Sequence, residues 1–258
     1  MDHYLASPWV VIPTYNEAGN VRPLSAALMA LHVPDLHLLF VDDASPDGTG
    51  QLLDDLAEQY APHLSVIHRT GLRGLGRAYV TGFQHVLEAG ATAIVQMDCD
   101  FSHQPQDVPR LLASLQDVDL VIGSRYVEGG SVDPNWGFNR KALSSWANFY
   151  SRIILGLREP ADTTAGFRAW KRQTLGGLDL DRIQSQGYVF QVEMTYVASR
   201  LGYRIKEIPI FFPDRQVGES KMTIPVKLEA ALRVWEVRWR HRGLTSEDRH
   251  DAGENDTP

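Results

Sequence analysis

The sequence predicts an α/β fold in which helices cover both faces of a mostly parallel sheet. Three observations carry that prediction. Short apolar runs alternate with stretches of helical period through the first 125 residues, the order that builds parallel sheets from crossover units. No internal repeat interrupts this order. Charged groups follow three of the apolar runs, and the C-terminal ends of parallel strands are where open α/β sheets bind ligands.

Trp9-Val10-Val11-Ile12-Pro13 is the first strand, stopped by proline and followed by Thr14-Tyr15-Asn16-Glu17 and a helix from about Val21 to His32. Leu36 to Val41 is the second, running into Asp42-Asp43 and the turn residues Ala44-Ser45-Pro46-Asp47-Gly48-Thr49 before a helix over Gly50 to Tyr60. Leu64 to His68 forms a third strand, and Gly71-Leu72-Arg73-Gly74-Leu75-Gly76 opens a helix that reaches Ala89. In the fourth unit the run Ile94-Val95-Gln96-Met97 breaks off into Asp98-Cys99-Asp100, with a helix from Gln106 to Leu115. Asp119 to Gly123 is a fifth strand, ending in Ser124-Arg125. Beyond residue 130 the alternation loosens. Gly129-Gly130-Ser131 and Asp133-Pro134-Asn135 mark a loop, Asn139 to Leu155 a helix, Gly166 to Lys171 a strand and Tyr188 to Leu201 a helix. Tyr203 to Phe212 reads as an extended edge segment interrupted by Pro209. A last helix from Ile224 to Arg242 aligns Leu228, Ala231, Leu232, Trp235 and Trp239 on one face. Residues 244–258 hold five acidic residues and one arginine with too little apolar content to pack, and are expected to be disordered.

At 258 residues, 43% hydrophobic and 22% charged, the chain suits one large folded domain or at most two. Its net charge of -7 excludes the pervasive basic surface of a general nucleic-acid binder, while leaving room for a local basic site for one or two phosphates. The single cysteine, Cys99, excludes an internal disulfide framework and fits a reducing compartment. No basic region followed by a long apolar core opens the chain, so no secretory signal is expected. No uncharged apolar run approaches the ~18 residues that span a bilayer. The expectation is a soluble or peripheral protein.

Asp98 and Asp100, one residue apart at a strand end, could together hold one Mg²⁺ or Mn²⁺ through hard oxygens. From the residues alone, an Asp-rich strand end that only caps the following helix is the other reading. Asp42, Asp43 and Asp47 can likewise serve turn chemistry, and Asp47 and Gly48 are expected to be mainly structural.

Taken together, Pro13-Thr14-Tyr15-Asn16-Glu17, Val41-Asp42-Asp43-Ala44-Ser45-Pro46-Asp47-Gly48-Thr49 and Met97-Asp98-Cys99-Asp100 resemble the family 2 glycosyltransferases of the GT-A (Rossmann-like) fold. Four further stretches are similar to one subgroup, the dolichyl- or polyprenyl-phosphate mannosyltransferases. They are Phe101-Ser102-His103-Gln104-Pro105 after the aspartates, Gly123-Ser124-Arg125-Tyr126, Asp162-Thr163-Thr164-Ala165-Gly166-Phe167-Arg168 and Arg215-Gln216-Val217-Gly218-Glu219-Ser220-Lys221. The match covers roughly residues 8–225. Two departures are small: Cys99 stands where alanine is usual, and Arg77 stands where the subgroup's glycine-rich loop has threonine. Cys99 with His103 supplies one thiol and one imidazole and no second thiol, too few for zinc.

The resemblance implies a single GT-A domain over residues 1–223, with a nucleotide-sugar half at about 8–125 and an acceptor half at about 126–223, then the helix at 224–243 and the acidic tail. It implies nucleotide binding by Pro13, Tyr15, Glu17, Val41, Asp43, Asp98, Cys99, Asp100, Arg215 and Lys221, with the metal at Asp98 and Asp100. Arg125, Arg140 and Ser144 would meet the acceptor phosphate. The implied reaction moves mannose from GDP-mannose to a dolichyl or polyprenyl monophosphate with inversion, giving a β-linked phosphosugar. The acceptor is already an anion, so no base is required; the enzyme must hold two mutually repelling phosphates together with cations. Asp98, Asp100 and Arg125 are the residues on which catalysis would rest. Glu193 would be a base if the acceptor were a sugar hydroxyl, and is otherwise a scaffold residue, as is Asp162. Rival readings are the same reaction with UDP-glucose or another UDP-sugar, and a non-catalytic nucleotide-sugar-binding scaffold. A lipid acceptor implies peripheral contact at the cytoplasmic face of a membrane or a membrane-protein partner. The last helix either lies on that membrane through Trp235 and Trp239, flanked by Arg233, Arg238, Arg240, His241 and Arg242, or packs on the domain.

Overall fold

The computed structural model describes residues 6–214 and 224–250. Its order is β1 (Pro8–Thr14), α1 (Val21–Met29), β2 (His37–Asp42), α2 (Thr49–Gln59), β3 (Leu64–His68), α3 (Leu75–Glu88), β4 (Ala93–Gln96), α4 (Val108–Ser114), β5 (Leu120–Ser124), β6 (Ser131–Val132), α5 (Phe138–Leu155), β7 (Arg168–Lys171), α6 (Arg172–Gly177), α7 (Tyr188–Arg200), β8 (Ile205–Pro209), β9 (Phe211–Phe212) and α8 (Ile224–His241). The expected α/β class and mostly parallel sheet are what the chain forms. Seven strands line up as β3-β2-β1-β4-β7-β5-β8, and all neighbours run parallel except β7, which is antiparallel to both β4 and β5. The segment expected as an edge is β8, paired with β5 through Pro209 opposite Ser124. Beside the main sheet, β6 and β9 pair as a short ribbon.

Because the strands are buried on both faces, alternate residues serve different cores. Val10, Ile12, Leu38, Phe40 and Val95 pack with α1, α2 and α4. On the other face Val11, Leu39, Val41, Ile94 and Trp170 pack with α3 and α7. A third cluster joins Leu155 of α5, Val189, Val192 and Tyr196 of α7, and Val234 and Val237 of α8. Among the described side chains of α8, which do not include Leu228, Val234, Val237 and His241 are buried, whereas Leu232, Trp235 and Trp239 of the tryptophan face are exposed.

The tail differs from the expectation of disorder beginning at 244. Leu244 packs against the α3–α7 core, Thr245 and Asp248 form a reciprocal cap on a short 3-10 turn, and the Arg249 guanidinium bonds the carbonyls of Leu201 and Gly202 while lying over Tyr203. Together with the His250 N–H, which bonds the Gly177 carbonyl at 3.0 Å, this leucine and arginine anchor a segment whose average composition is that of a solvated tail. Residues 251–258 lie outside the described part.

One glycine fixes how closely α3 sits on the sheet. A Cβ at Gly82 would come within 2.5 Å of Val11 Cγ1 and 3.0 Å of Val41 Cγ2. We therefore expect Gly82→Ala to destabilise the fold by about 1–2 kcal/mol in urea unfolding, because overpacking outweighs the better helix propensity of alanine. No loss of stability would mean that α3 can shift freely over β1 and β2.

Candidate active site

The C-terminal ends of β1, β2, β4 and β5 open into one cavity of about 1230 Å³. Its floor is held by interlocked loops. Asp47 accepts from the backbone N–H of Ala18 (3.1 Å) and Thr49 (3.1 Å), and the Thr49 hydroxyl in turn accepts from the N–H of Glu17. Ser45 binds both the Asn16 N–H and the Asp42 carboxylate. Asp47 is the structural residue expected, and Gly48 has the positive φ of 89° that its turn requires. Each of the three loops after β1, β2 and β4 also holds a non-glycine residue at positive φ, namely Asn16, Ala44 and Phe101. Such conformations cost ~1 kcal/mol or more and persist only where surroundings enforce them.

Pro13, Tyr15, Glu17 and Asp43 line this cavity as expected. Val41 does not: it points to the α3 face and is fully buried against Gly82. Asp43 does more than face a ligand. Its carboxylate accepts from Arg69 on one oxygen and from the Gly74 N–H (2.7 Å) on the other, fixing the glycine-rich loop. That loop delivers Arg73, which bonds the Tyr15 hydroxyl (2.8 Å) and lies 4.6 Å over its ring. Arg73 was not among the expected site residues, because nothing in a glycine-rich loop tells which of its side chains turns inward. Arg77, the departure from the subgroup pattern, is exposed, and its backbone N–H donates to Gln186.

Asp98, Cys99 and Asp100 follow β4 after the buried Met97. Asp98 Oδ1 accepts from the Tyr79 hydroxyl at 2.8 Å, and Asp100 Oδ1 accepts from the Ser102 hydroxyl (2.5 Å) and N–H (3.0 Å). The hydrogen bonds orient both carboxylates on the cavity wall, where they offer hard oxygen donors of the kind that fits Mg²⁺ or Mn²⁺. A soft-metal site is excluded by chemistry. Burial pushes the Cys99 thiol well up, helped by Glu17 and the two aspartates, and His103 spends Nδ1 on the Asp98 N–H while stacking on Phe167.

On the opposite wall Arg125, at the end of β5, is clamped by Asp162. Its Nε and Nη2 donate to the two carboxylate oxygens at 2.8 and 2.7 Å, its N–H donates at 3.1 Å, and Nη2 also reaches Thr164. Burial works against both charges, yet the pairing wins, holding Asp162 below and Arg125 above their usual values. Asp162 is thus the support expected of it. Arg140 and Ser144 line the same wall from α5, with Arg140 paired to Asp214 at 2.7 Å and lying over Trp136. Phe212 of β9, also not expected, sits between Arg125, His103 and Trp136. Arg215 and Lys221 lie outside the described residues; Asp214, just before them, is on the cavity rim.

Glu193 is fully buried and accepts from Ser185 N–H (2.7 Å), Gln184 N–H (3.1 Å), Arg240 (2.7 Å) and His241 (2.7 Å). It is not among the residues that line the cavity, and its four hydrogen bonds are those of a scaffold carboxylate.

Residues 9–176 match the sequence model described as Glycosyl transferase family 2. The chain belongs to that family. It is a glycosyltransferase, and its resemblance to the polyprenyl-phosphate mannosyltransferase subgroup runs along nearly its whole length. It is 48% identical over 236 residues to an undecaprenyl-phosphate mannosyltransferase of Micrococcus luteus, covering 91% of this chain and 96% of that one. To a polyprenol monophosphomannose synthase of Mycolicibacterium smegmatis it is 45% identical over 234 residues, covering 90% and 87%. Among solved structures, glucosyl-3-phosphoglycerate synthase of Mycobacterium tuberculosis with Mn²⁺, UDP and phosphoglyceric acid superposes with a TM-score of 0.65 at 17% identity, covering 93% of this chain and 79% of that one. That likeness establishes the shared GT-A fold.

Glu193 supplies a test of its scaffold role. Although burial raises it, hydrogen bonds from His241 and Ser185 hold its carboxyl below the ordinary 4.5. A carboxylate with a depressed folded value stabilises the fold above its unfolded value and loses that stabilisation as pH falls. Glu193→Gln should therefore cost about 3 kcal/mol at neutral pH, the range for breaking one partner of a buried ion pair. The gap to the parent should close below pH 4.5. Turnover should fall by less than about tenfold, whereas loss of a general base costs about 10²–10⁴-fold.

Proposed function

We propose that this glycosyltransferase moves mannose from GDP-mannose to a dolichyl or polyprenyl monophosphate with inversion, working at the cytoplasmic face of a membrane that it touches peripherally. One observation carries the reading. The helix that walls the acceptor side of the cavity, α5, turns Arg140, Leu143, Ser144 and Ala147 inward and leaves Phe138, Trp146, Phe149 and Ile153 exposed on its other side. A cationic wall backed by an apolar surface suits a ligand whose head is a phosphate and whose tail is hydrocarbon. The relatives' names support the same acceptor.

The donor would lie along Tyr15, Asp43 and Arg73 with its diphosphate toward Asp98 and Asp100. Mg²⁺ or Mn²⁺ held by those two carboxylates would neutralise the departing nucleoside diphosphate. Arg125, oriented by Asp162, presents its remaining nitrogen, Nη1, to the acceptor phosphate, and Arg140 adds a second cation. The acceptor oxygen attacks C1 of the sugar as an anion, consistent with the absence of a carboxylate base at Glu193. Arg215 and Lys221 are assigned to the donor diphosphate.

Incubation with a panel of nucleotide sugars, polyprenyl phosphate and Mg²⁺ or Mn²⁺ should yield lipid-linked mannose from GDP-mannose, and Asp100→Ala should lower the rate at least about 10²-fold. Transfer from UDP-glucose and not from GDP-mannose would overturn the donor assignment. No transfer from any donor, with nucleotide binding unchanged in Asp100→Ala, would point to a binding scaffold.

Membrane contact has its own test. Among the described residues no helix is long and apolar enough to cross a bilayer. The exposed stripe of α5 is joined to α8 where Tyr150 accepts from Trp235 Nε1 (3.1 Å) and donates to the Ala231 carbonyl (3.1 Å). Phe149 and Trp239 are 62% and 65% exposed, so Phe149→Ser with Trp239→Ser should leave the melting temperature nearly unchanged while weakening partition onto anionic vesicles about tenfold or more. Unchanged sedimentation with vesicles would sink the contact.

A further inference from the structure

We propose that the chain carries a second cation site, of zinc type, at the end of the sheet opposite the active-site cavity, formed by Asp35, His37 and His63. One ring nitrogen from each histidine and one oxygen of Asp35 lie within 4.8 Å of one another. His37 opens β2 and His63 immediately precedes β3, so both sit at strand N-termini, one strand length or roughly 17 Å from Asp42 and the cavity. The site is therefore separate from Asp98 and Asp100.

Several features show a built arrangement. His37 stacks on Trp9 with centroids 4.6 Å apart and planes 13° from parallel, and its ring lies 4.9 Å from that of His63. The His63 carbonyl accepts from the Leu38 N–H at 2.8 Å, which locks the two histidine backbones in register. Asp35 holds a left-handed φ of 52°, turning the chain back into β2 beside them. Most tellingly, His63 Nδ1 is buried and has no hydrogen-bond partner among the described residues. A buried imidazole nitrogen without a partner leaves hydrogen-bonding capacity unmet at this cluster. A cavity of about 190 Å³ opens beside it, lined by Asp35, His63 and aliphatic side chains including Leu28 and Val33.

The ligand set selects the ion. Two imidazoles and one carboxylate suit Zn²⁺ in preference to Mg²⁺ or Mn²⁺, which favour oxygen. Bonds of ~2.0–2.1 Å to a tetrahedral ion put neighbouring ligand atoms ~3.4 Å apart. His37 Nε2 and Asp35 Oδ1 already stand at 3.3 Å. The third ligand has at most 4.8 Å to close, and water completes the fourth position. The ion would tie the turn before β2 to the start of β3, at the edge of the sheet.

Dialysis of the full chain against micromolar Zn²⁺ with excess Mg²⁺ should leave one equivalent of zinc per chain, and Co²⁺ in its place should give the visible bands of a tetrahedral site. Both signals should vanish in His63→Gln and in Asp35→Asn. The second change is mild, since asparagine keeps the shape and tolerates the positive φ, so loss of zinc there with an unchanged melting temperature in EDTA separates ligation from misfolding. Zinc that survives both substitutions, zinc lost instead in His103→Asn, or no bound zinc in the parent would each overturn the site.

Discussion

The β5 wall of the cavity depends on the ion pair between Arg125 and Asp162. Both groups are almost wholly removed from water, a state that penalises each charge heavily unless the partner is present and the remaining hydrogen-bonding capacity is met. Here it is met from three directions. Asp162 accepts three bonds from Arg125, while Glu207 of β8 accepts from the N–H groups of Ala161 and Asp162 at 2.7 and 2.9 Å and pins the loop that carries the carboxylate. Because β8 pairs with β5, the strand that presents Arg125 and the strand that steadies its counter-ion are hydrogen-bonded neighbours. The guanidinium is held in place before any ligand arrives, so little ordering cost remains to be met on binding.

That pair exists because β7 runs backwards. Entering the sheet antiparallel between β4 and β5, it begins at the ligand-binding end, with Arg168 opposite Gln96. The loop before it, residues 162–167, therefore falls between the aspartates of β4 and the arginine of β5 and supplies Thr164, Ala165 and Gly166 to the cavity. Space is tight there: a Cβ on Gly166 would lie 3.2 Å from the His103 ring and 3.6 Å from Asp98 Oδ2. Arg168 is fully buried, donating to the carbonyls of Ala165, Thr163 and Gln191. Burial pulls its value down to about 9, with Asp162 and Tyr79 opposing, so it remains a cation at neutral pH beneath the cavity.

The parts of this arrangement that were legible in the sequence are those with strong local signals. Parallel strands buried on both sides are unbroken apolar runs, and their loops carry side chains whose chemistry is specific, so the first five strands and the wall residues Asp98, Asp100 and Arg125 could be read directly. What could not be read depends on contacts distant in sequence. The four residues of β7 contain no indication of strand direction. Val41 lies within β2 and Asp43 just past its end, and only the position of α3 decides that the valine is covered while the aspartate is left at the cavity. Trp235 and Trp239 resemble a packing face in a helical projection, yet α8 docks through the smaller Val234 and Val237 because α5 and α7 approach from that side. The docking of 244–250 rests on individual contacts that average composition conceals.

These contacts also determine how α8 relates to the chemistry. Its C-terminal end is bound to Glu193 through Arg240 and His241, and the same carboxylate caps the N–H groups of Gln184 and Ser185. The next residues, Gln186, Gly187 and Tyr188, line the cavity, and Gln186 accepts from the Arg77 N–H in the first turn of α3. Arg238 reaches the Ile154 carbonyl of α5, the other helix with an exposed apolar stripe. These two helices, each presenting apolar surface to the outside, are therefore fastened to each other and, through one fully buried carboxylate, to the wall of the cavity. A displacement of α8 cannot leave that wall unchanged, because Glu193 would have to release either the helix or the loop, and either would leave a buried charge without its hydrogen bonds.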